Sequence, residues 1–320
     1  MANGGDSIQV NVSQPGIGDG ALGAPGLPVD LVAARRGESP LVQAMRRLGK
    51  STTALAGLVI VATLVLVAIF ADVLAPDSPI TSDQTHTFAS PSADHPLGTD
   101  QLGRDMLSRV IHGARVSLAV GVSSVVFALF LGVPLGMVAG YYGGRLDSVI
   151  MRLMDLVLAF PVYLLAIILM IMFTPTAGPI GTIKVVAAIA IVRIPIYARL
   201  VRGSVLSIKE KEYIEACRAL GVRDPSIFIH HVLPNCLAPI IVTTTLGIAT
   251  AIIVEATLSF LGLGTQPPTP SWGWDLKANV AFIQANPWLS LFPGLAIFVT
   301  VLGFNLFGDG LRDALDPRLK

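Results

Sequence analysis

Charged side chains set inside apolar sequence are the first chemistry this chain offers. Arg152, Asp155, Arg193 and Glu255 lie in or beside long uncharged runs. In hydrocarbon an ionised group needs a partner, a water path or a task, so each is a candidate for ion handling, gating or pairing. Arg152 and Asp155 are three residues apart, a spacing that predicts a pair on one helix face. Glu255 falls within about two turns of the outer end of its run, and Arg193 stands about two turns from either Lys184 or Arg202. His95, Asp100, Asp105 and His112 share one polar segment but lack a recognised metal spacing. The two cysteines, Cys217 and Cys236, form neither a metal nor a disulfide framework. The chain has no Gly-x-x-x-x-Gly-Lys-Ser/Thr phosphate loop, no His-Glu-x-x-His and no Gly-x-Ser-x-Gly. It is therefore not expected to hydrolyse ATP itself or to be a zinc peptidase or serine hydrolase. Phe307-Gly308-Asp309 falls short of an intramembrane aspartyl-protease signature, because Leu306 replaces its first glycine.

A second kind of chemistry, docking, is written in residues 204–235. Ser207 with Glu210 three residues on is a capping box, which predicts a helix start. Lys211 with Glu215, and Glu215 with Arg218, are spaced to pair along that helix. Gly221 predicts its stop, since glycine takes the left-handed position without a Cβ clash. Asp224-Pro225 predicts a second helix, with aspartate as N-cap and proline at the first helical position. Pro234 predicts its end. Small residues at Ala216, Cys217 and Ala219 would let a partner approach closely.

The elements that must position these residues are membrane spans. Hydrophobic residues make up 53% and charged residues 13% of the 320, and mean hydropathy is +0.71. Soluble domains carry about 25% charged residues. The net charge of +1 gives no reason to invoke nucleic acid. Charge-free stretches predict six transmembrane helices at about Thr52–Leu74, Val116–Ala139, Val149–Phe173, Ile183–Val201, Leu237–Phe260 and Trp288–Phe307, each near the roughly 20 residues a bilayer needs. With the N-terminus inside, the cytoplasmic segments hold 16 Lys and Arg. The outer ones hold five: Arg104, Arg109, Arg115, Lys184 and Lys277. That bias puts both termini and residues 204–235 in the cytoplasm, and Trp272, Trp274 and Trp288 at the outer interface as anchors. Gly132, Gly136 and Gly140 form a stripe on the second span suited to close packing. Pro134 and Pro161 predict kinks. Residues 1–40, rich in Gly, Pro, Ser and Asp, read as a disordered cytoplasmic tail. The chain then divides into residues 41–112, with the first span and outer loop, a core of 113–310, and a cytoplasmic C-terminal segment of 311–320.

Glu215-Ala216-Cys217-x-x-x-Gly221 followed by Leu233-Pro234 resembles the Glu-Ala-Ala loop of bacterial ABC importer permeases. Cys217 departs from that pattern at the third small residue, and His231 stands where isoleucine is usual. Residues 95–105 (His-Pro-Leu-Gly-Thr-Asp-Gln-Leu-Gly-Arg-Asp), Gly113-Ala-Arg115-Val-Ser-Leu118, Leu258-Ser-Phe-Leu-Gly262-Leu-Gly264 and residues 308–318 resemble the C-type permease of dipeptide, oligopeptide and nickel importers (DppC/OppC-like). The resemblance covers about residues 39–320. It implies the all-α type I ABC importer permease fold with cytoplasmic coupling helices, and a subunit that forms a path for di- or oligopeptides. It implies that Glu215, Ala216, Cys217, Gly221, Leu233 and Pro234 dock on an ATPase. It implies a homologous second permease, two ABC ATPase subunits that bind ATP and Mg, and an extracytoplasmic substrate-binding protein, with no cofactor on this chain. The same machinery could import nickel or another small solute. An ion-coupled secondary transporter would instead need a midplane ion site and internal repeat symmetry, and neither is evident here.

Overall fold

The computed structural model describes Arg46 and residues 48–173 and 177–315. The expected N-terminal tail and the last residues of the C-terminal segment fall outside that range. All that follows concerns the unit Pro40–Lys320. Its described residues are helical, without a strand. Helix α1 (Thr52–Ile69) starts at Ser51, whose hydroxyl accepts from the Ala54 N–H. Helix α2 (Met106–Tyr142) starts at Asp105, whose carboxylate accepts from the Ser108 N–H at 2.7 Å. Both are side-chain N-caps of the ordinary kind. Then follow α3 (Gly144–Leu158), α4 (Val162–Phe173), α5 (Gly178–Lys209), α6 (Glu212–Ala219), α7 (Leu233–Phe260), α8 (Trp272–Asn279) and α9 (Trp288–Leu315).

Five helices are long and apolar enough to cross a membrane, and the bent pair α3 and α4 makes a sixth crossing if counted as one span. The chain is thus a multi-pass membrane protein. The single helix expected over residues 149–173 is not formed. The two halves meet at 89°, with the break at 159–161. Pro161 lacks the N–H that a continuing helix needs, and its ring disfavours helical backbone at Phe160. The fourth span is longer than expected, Gly178–Lys209 rather than 183–201, and Lys184 and Arg193 do not interrupt it.

Packing follows the small residues. The stripe on α2 seats α5. A Cβ added at Gly132 would lie 2.8 Å from the Tyr197 Cβ, one at Gly136 2.9 Å from the Val201 Cβ, and one at Gly140 2.8 Å from the Val205 Cβ. Close approach of this kind drives association where lipid removes the hydrophobic driving force. A second seam, between α1 and α9, gives no equally regular sequence pattern. There Gly57 faces the Gly303 carbonyl and Gly303 faces Ile60.

The end of the bundle that holds residues 75–105 and 262–287 is tied by buried charge. Arg109 and Asp275 form an ion pair in which both side chains are almost wholly buried, with the Arg109 Nε donating to Asp275 at 2.8 Å. Arg109 also donates to the Pro79 carbonyl at 2.9 Å. Trp272 is not the interfacial anchor expected of it. It is buried in the core, packs against Gly113 and donates from Nε1 to the Val110 carbonyl at 2.9 Å. In a membrane protein a tryptophan can fill a core wherever its N–H finds an acceptor.

Candidate docking surface

At the opposite end, residues 210–232 form a braced elbow. The helix expected from Ser207 does not start there. Ser207 lies inside α5, which runs to Lys209, and the next helix, α6, starts at Glu212 after Lys211. The apolar contacts of Val201, Val205 and Ile208 carry α5 through the capping-box position. Tertiary packing of this kind overrides a local start signal. The glycine stop is as expected. Gly221 has φ +74°, and the Val222 N–H donates back to the Cys217 carbonyl at 3.0 Å. Asp224 does not cap the following turn, Asp224–Ile227. Its carboxylate instead accepts from the Tyr141 hydroxyl at 2.7 Å. Pro234 does not end a helix either. A π turn, Phe228–Val232, carries the chain into α7, where Pro234 sits in the first turn and needs no N–H partner.

Tyr141, which the sequence reading passed over, organises the elbow. Its ring meets Phe228 edge-on at 4.6 Å between centroids, and the Arg218 guanidinium lies over it at 4.8 Å. Arg218 also donates from Nε to the Tyr141 hydroxyl at 3.3 Å. This contact replaces the expected Glu215–Arg218 pair, because the aromatic face and hydroxyl hold the cation on the inner side of α6. In the sequence Tyr141-Tyr142 directly follows the last glycine of the stripe, but nothing local ties it to residues 218 or 224. Ile214, Ile227 and Val232 are buried beneath the elbow with Cys236. The opposite face is open. Glu215, Ala216, Ala219 and Pro234 are exposed, and Leu220 is 83% exposed. Cys217 and Leu233 are half-buried, and the Cys217 Sγ is 3.7 Å from the His231 Nε2. The elbow therefore offers a surface of mixed apolar, acidic and basic residues fixed to the ends of α2, α5 and α7.

The charged residues within the spans have separate fates. Asp155 pairs with Arg199, not with Arg152. Asp147, eight residues earlier on α3, accepts from the Arg202 Nε at 2.5 Å. The expected Arg152–Asp155 pair fails because Asp155 faces α5, where Arg199 reaches it. Arg193 is buried between α5 and α7 and donates from Nη1 to the Thr250 hydroxyl at 2.7 Å. Glu255 is wholly buried and accepts from the hydroxyls of Ser259 at 2.7 Å, Ser271 at 3.0 Å, Thr265 at 3.3 Å and Ser117 at 3.4 Å. Four hydroxyl donors from α2, α7 and the following loop surround one carboxylate. It ties three parts of the chain together. In the long polar segment, Asp100 holds Arg104 at 2.6 Å and His112 reaches Asp72 at 3.2 Å. His95 reaches Asp105 at 3.1 Å, with Asp77 nearby. Asp105 is already spent there as the cap of α2.

Comparison with known proteins agrees with this architecture. Residues 132–320 match the model of the binding-protein-dependent transport system inner membrane component. Residues 39–91 match the N-terminal TM domain of oligopeptide transport permease C. The dipeptide transport system permease protein DppC of Alkalihalophilus pseudofirmus is 48% identical over 88% of this chain and 91% of its own length. The di/tripeptide transport system permease protein DppC of Pseudomonas aeruginosa is 44% identical over 88% and 93%. The glutathione transport system permease protein GsiD of Pectobacterium atrosepticum is 44% identical over 88% and 92%. Among solved structures, a chain of the inward-facing MetNI methionine ABC transporter superposes with a TM-score of 0.54 at 19% identity, over 66% of this chain and 98% of that one. At that identity the match concerns the fold alone.

Proposed function

The chain belongs to the family of binding-protein-dependent transport system inner membrane components and is an ABC importer permease subunit, and from that premise we propose that it carries di- or oligopeptides across the membrane, driven by a separate ATPase. The relatives named for dipeptides, di/tripeptides and glutathione support the substrate class. The observation that carries the coupling is the braced elbow. Glu215, Ala216 and Cys217 stand on a short helix, stopped at Gly221, that is exposed outward and locked inward by Tyr141, Arg218 and Asp224. A push on that helix reaches α2, α5 and α7 together. Leu233 and Pro234 hold the joint between the elbow and α7. In this reading α6 seats on one of two ATPase subunits that bind ATP and Mg. A second permease completes the path, and a binding protein delivers the peptide at the other face. The termini and the elbow then lie in the cytoplasm. Cofactors belong to the ATPase and not to this chain, which has no phosphate loop.

The test is reconstitution of the co-expressed permeases and ATPases in liposomes with binding protein. Peptide-stimulated ATP hydrolysis and uptake of labelled dipeptide are expected together. Uptake that needs an ion gradient and no ATPase would replace this reading with a secondary transporter. ATP-driven uptake of another solute but not of peptides would remove the substrate class alone.

A further inference from the structure

Helix α3 carries two arginines, Arg145 and Arg152, that the described residues leave unused. Arg145 and Arg152 are both exposed, and among the described residues neither has a hydrogen bond or ion pair. The acid that the sequence offers to Arg152, Asp155, is taken by Arg199. Both arginines line a shallow cleft of ≈ 570 Å³ together with Gly144, Ser148 and Val149. They are seven residues apart, so they share one helix face to within about 20°.

The placement of α3 identifies what they face. Asp147 and Asp155 are eight residues apart, about 12 Å along the helix, yet their partners Arg202 and Arg199 are only about one turn apart on α5. Pairs so spaced fit a helix α3 inclined across α5, and α3 meets α4 at 89°. The crossing lies where the uncharged part of α5 gives way to Arg199 and Arg202, the level at which a span leaves hydrocarbon. Along α3, Ile150 and Met154 are buried against the bundle. Leu146, Val149, Leu153 and Leu156 form an exposed apolar row. Arg145 and Arg152 border that row on the side away from the buried face. An amphipathic helix lying at the membrane boundary, with cations along the edge of its apolar row, is built to rest on lipid tails and reach up to headgroups.

We propose that the cleft between Arg145 and Arg152 binds the phosphate headgroup of an anionic phospholipid, whose tails cover Leu146, Val149, Leu153 and Leu156. The proposal is independent of which solute is carried. Through Asp147 and Asp155 the lipid would bear on α5, and through α5 on the elbow.

The test uses the purified permease–ATPase complex in detergent, titrated with short-chain phosphatidylglycerol, short-chain phosphatidylcholine or inorganic phosphate. Bound lipid is counted by native mass spectrometry. The wild-type complex is expected to prefer phosphatidylglycerol about ten-fold or more. Arg145→Gln/Arg152→Gln should lose that preference, while Arg145→Lys/Arg152→Lys keeps most of it. Both variants should unfold at the wild-type temperature, since neither guanidinium has a partner to lose. An unchanged preference in the glutamine variant overturns the proposal. So does displacement of the lipid by millimolar inorganic phosphate, which would mean a soluble anion site. Loss of the ATPase subunits with lipid preference intact would assign the arginines to a protein contact and overturn it equally.

Discussion

At the scale of single residues, Gly221 separates backbone need from space. Its φ of +74° is a conformation that costs a residue with a Cβ roughly 1–2 kcal/mol. Nothing lies within 4 Å of where that Cβ would stand. The cost is therefore purely conformational, and asparagine, which visits the left-handed region more readily, should bear most of it. Gly221→Val is expected to leave the chain inserted while peptide-stimulated ATP hydrolysis drops several-fold, and Gly221→Asn to stay near wild type. Equal hydrolysis in all three, with Glu215→Ala also unaffected, would show that α6 is not the coupling element. Arg193 is the opposite case, since it is buried and donates to the Thr250 hydroxyl. Its Nη2 and the Tyr197 hydroxyl both crowd Gly247, at 2.7 and 2.6 Å from where a Cβ would sit. The side chain thus fills the junction of α5 and α7. Arg193→Ala should lower the yield of assembled complex, by loss of packing as much as of charge. Full assembly with altered peptide preference would instead place Arg193 on the path.

At the scale of elements, the α2–α5 seam should be the least forgiving part of the bundle. A Cβ at Gly136 already crowds Val201 at 2.9 Å, and overpacking of this kind costs about 1–3 kcal/mol or more. Gly136→Leu should lose folded protein on gel filtration. Gly203→Ala, on a helix face with nothing within 4 Å, should not. This seam was legible because a spacing of four places three glycines on one face. The α1–α9 seam was not legible, because its contacts pair glycines on one helix with backbone and branched side chains on another. The same divide runs through the elbow. Gly221 states a backbone requirement that any reader of the sequence can use. The fates of Ser207, Asp224 and Pro234 were decided by Val205, Tyr141 and the π turn at 228–232. The first two are tertiary contacts that override local signals, and the third is a backbone continuation that leaves Pro234 in a first turn. The exposed face of α6, with Glu215 and Ala216, was legible. The Tyr141 brace behind it was not, since it joins residues more than seventy apart.

At the scale of the whole molecule, orientation is the property on which the docking surface depends. Helix α2 is about 55 Å long, well beyond the roughly 30 Å of hydrocarbon, so the bundle stands out of the membrane. The sequence places 16 basic residues on the elbow side against five on the other. On the long-loop side, Arg104, Arg109 and Arg115 are bound to Asp100, Asp275 and Asp72, and Lys277 lies over the Trp274 ring. Hydrogen bonds from Arg115 and His112 hold the Asp72 carboxyl below its ordinary range. On the elbow side, Arg199 and Arg202 pair with Asp155 and Asp147, while Arg145 and Arg152 have no carboxylate partner among the described residues. The bias in Lys and Arg count, paired or not, is what sets topology, and it is the ground for proposing that the elbow faces the cytoplasm. Single-cysteine labelling with a membrane-impermeant maleimide tests this in intact cells. Cys217→Ser gives the background, Cys236 being buried. Ala93→Cys and Gln284→Cys are exposed sites on the long loops, and Lys211→Cys is an exposed site on the elbow. Ser271 would mislead as a site, because it is buried against Glu255. Ala93→Cys and Gln284→Cys should label in intact cells, and Lys211→Cys only after the membrane is opened. The reverse pattern would put α6 out of reach of any cytoplasmic ATPase, and the coupling proposal would fail with it.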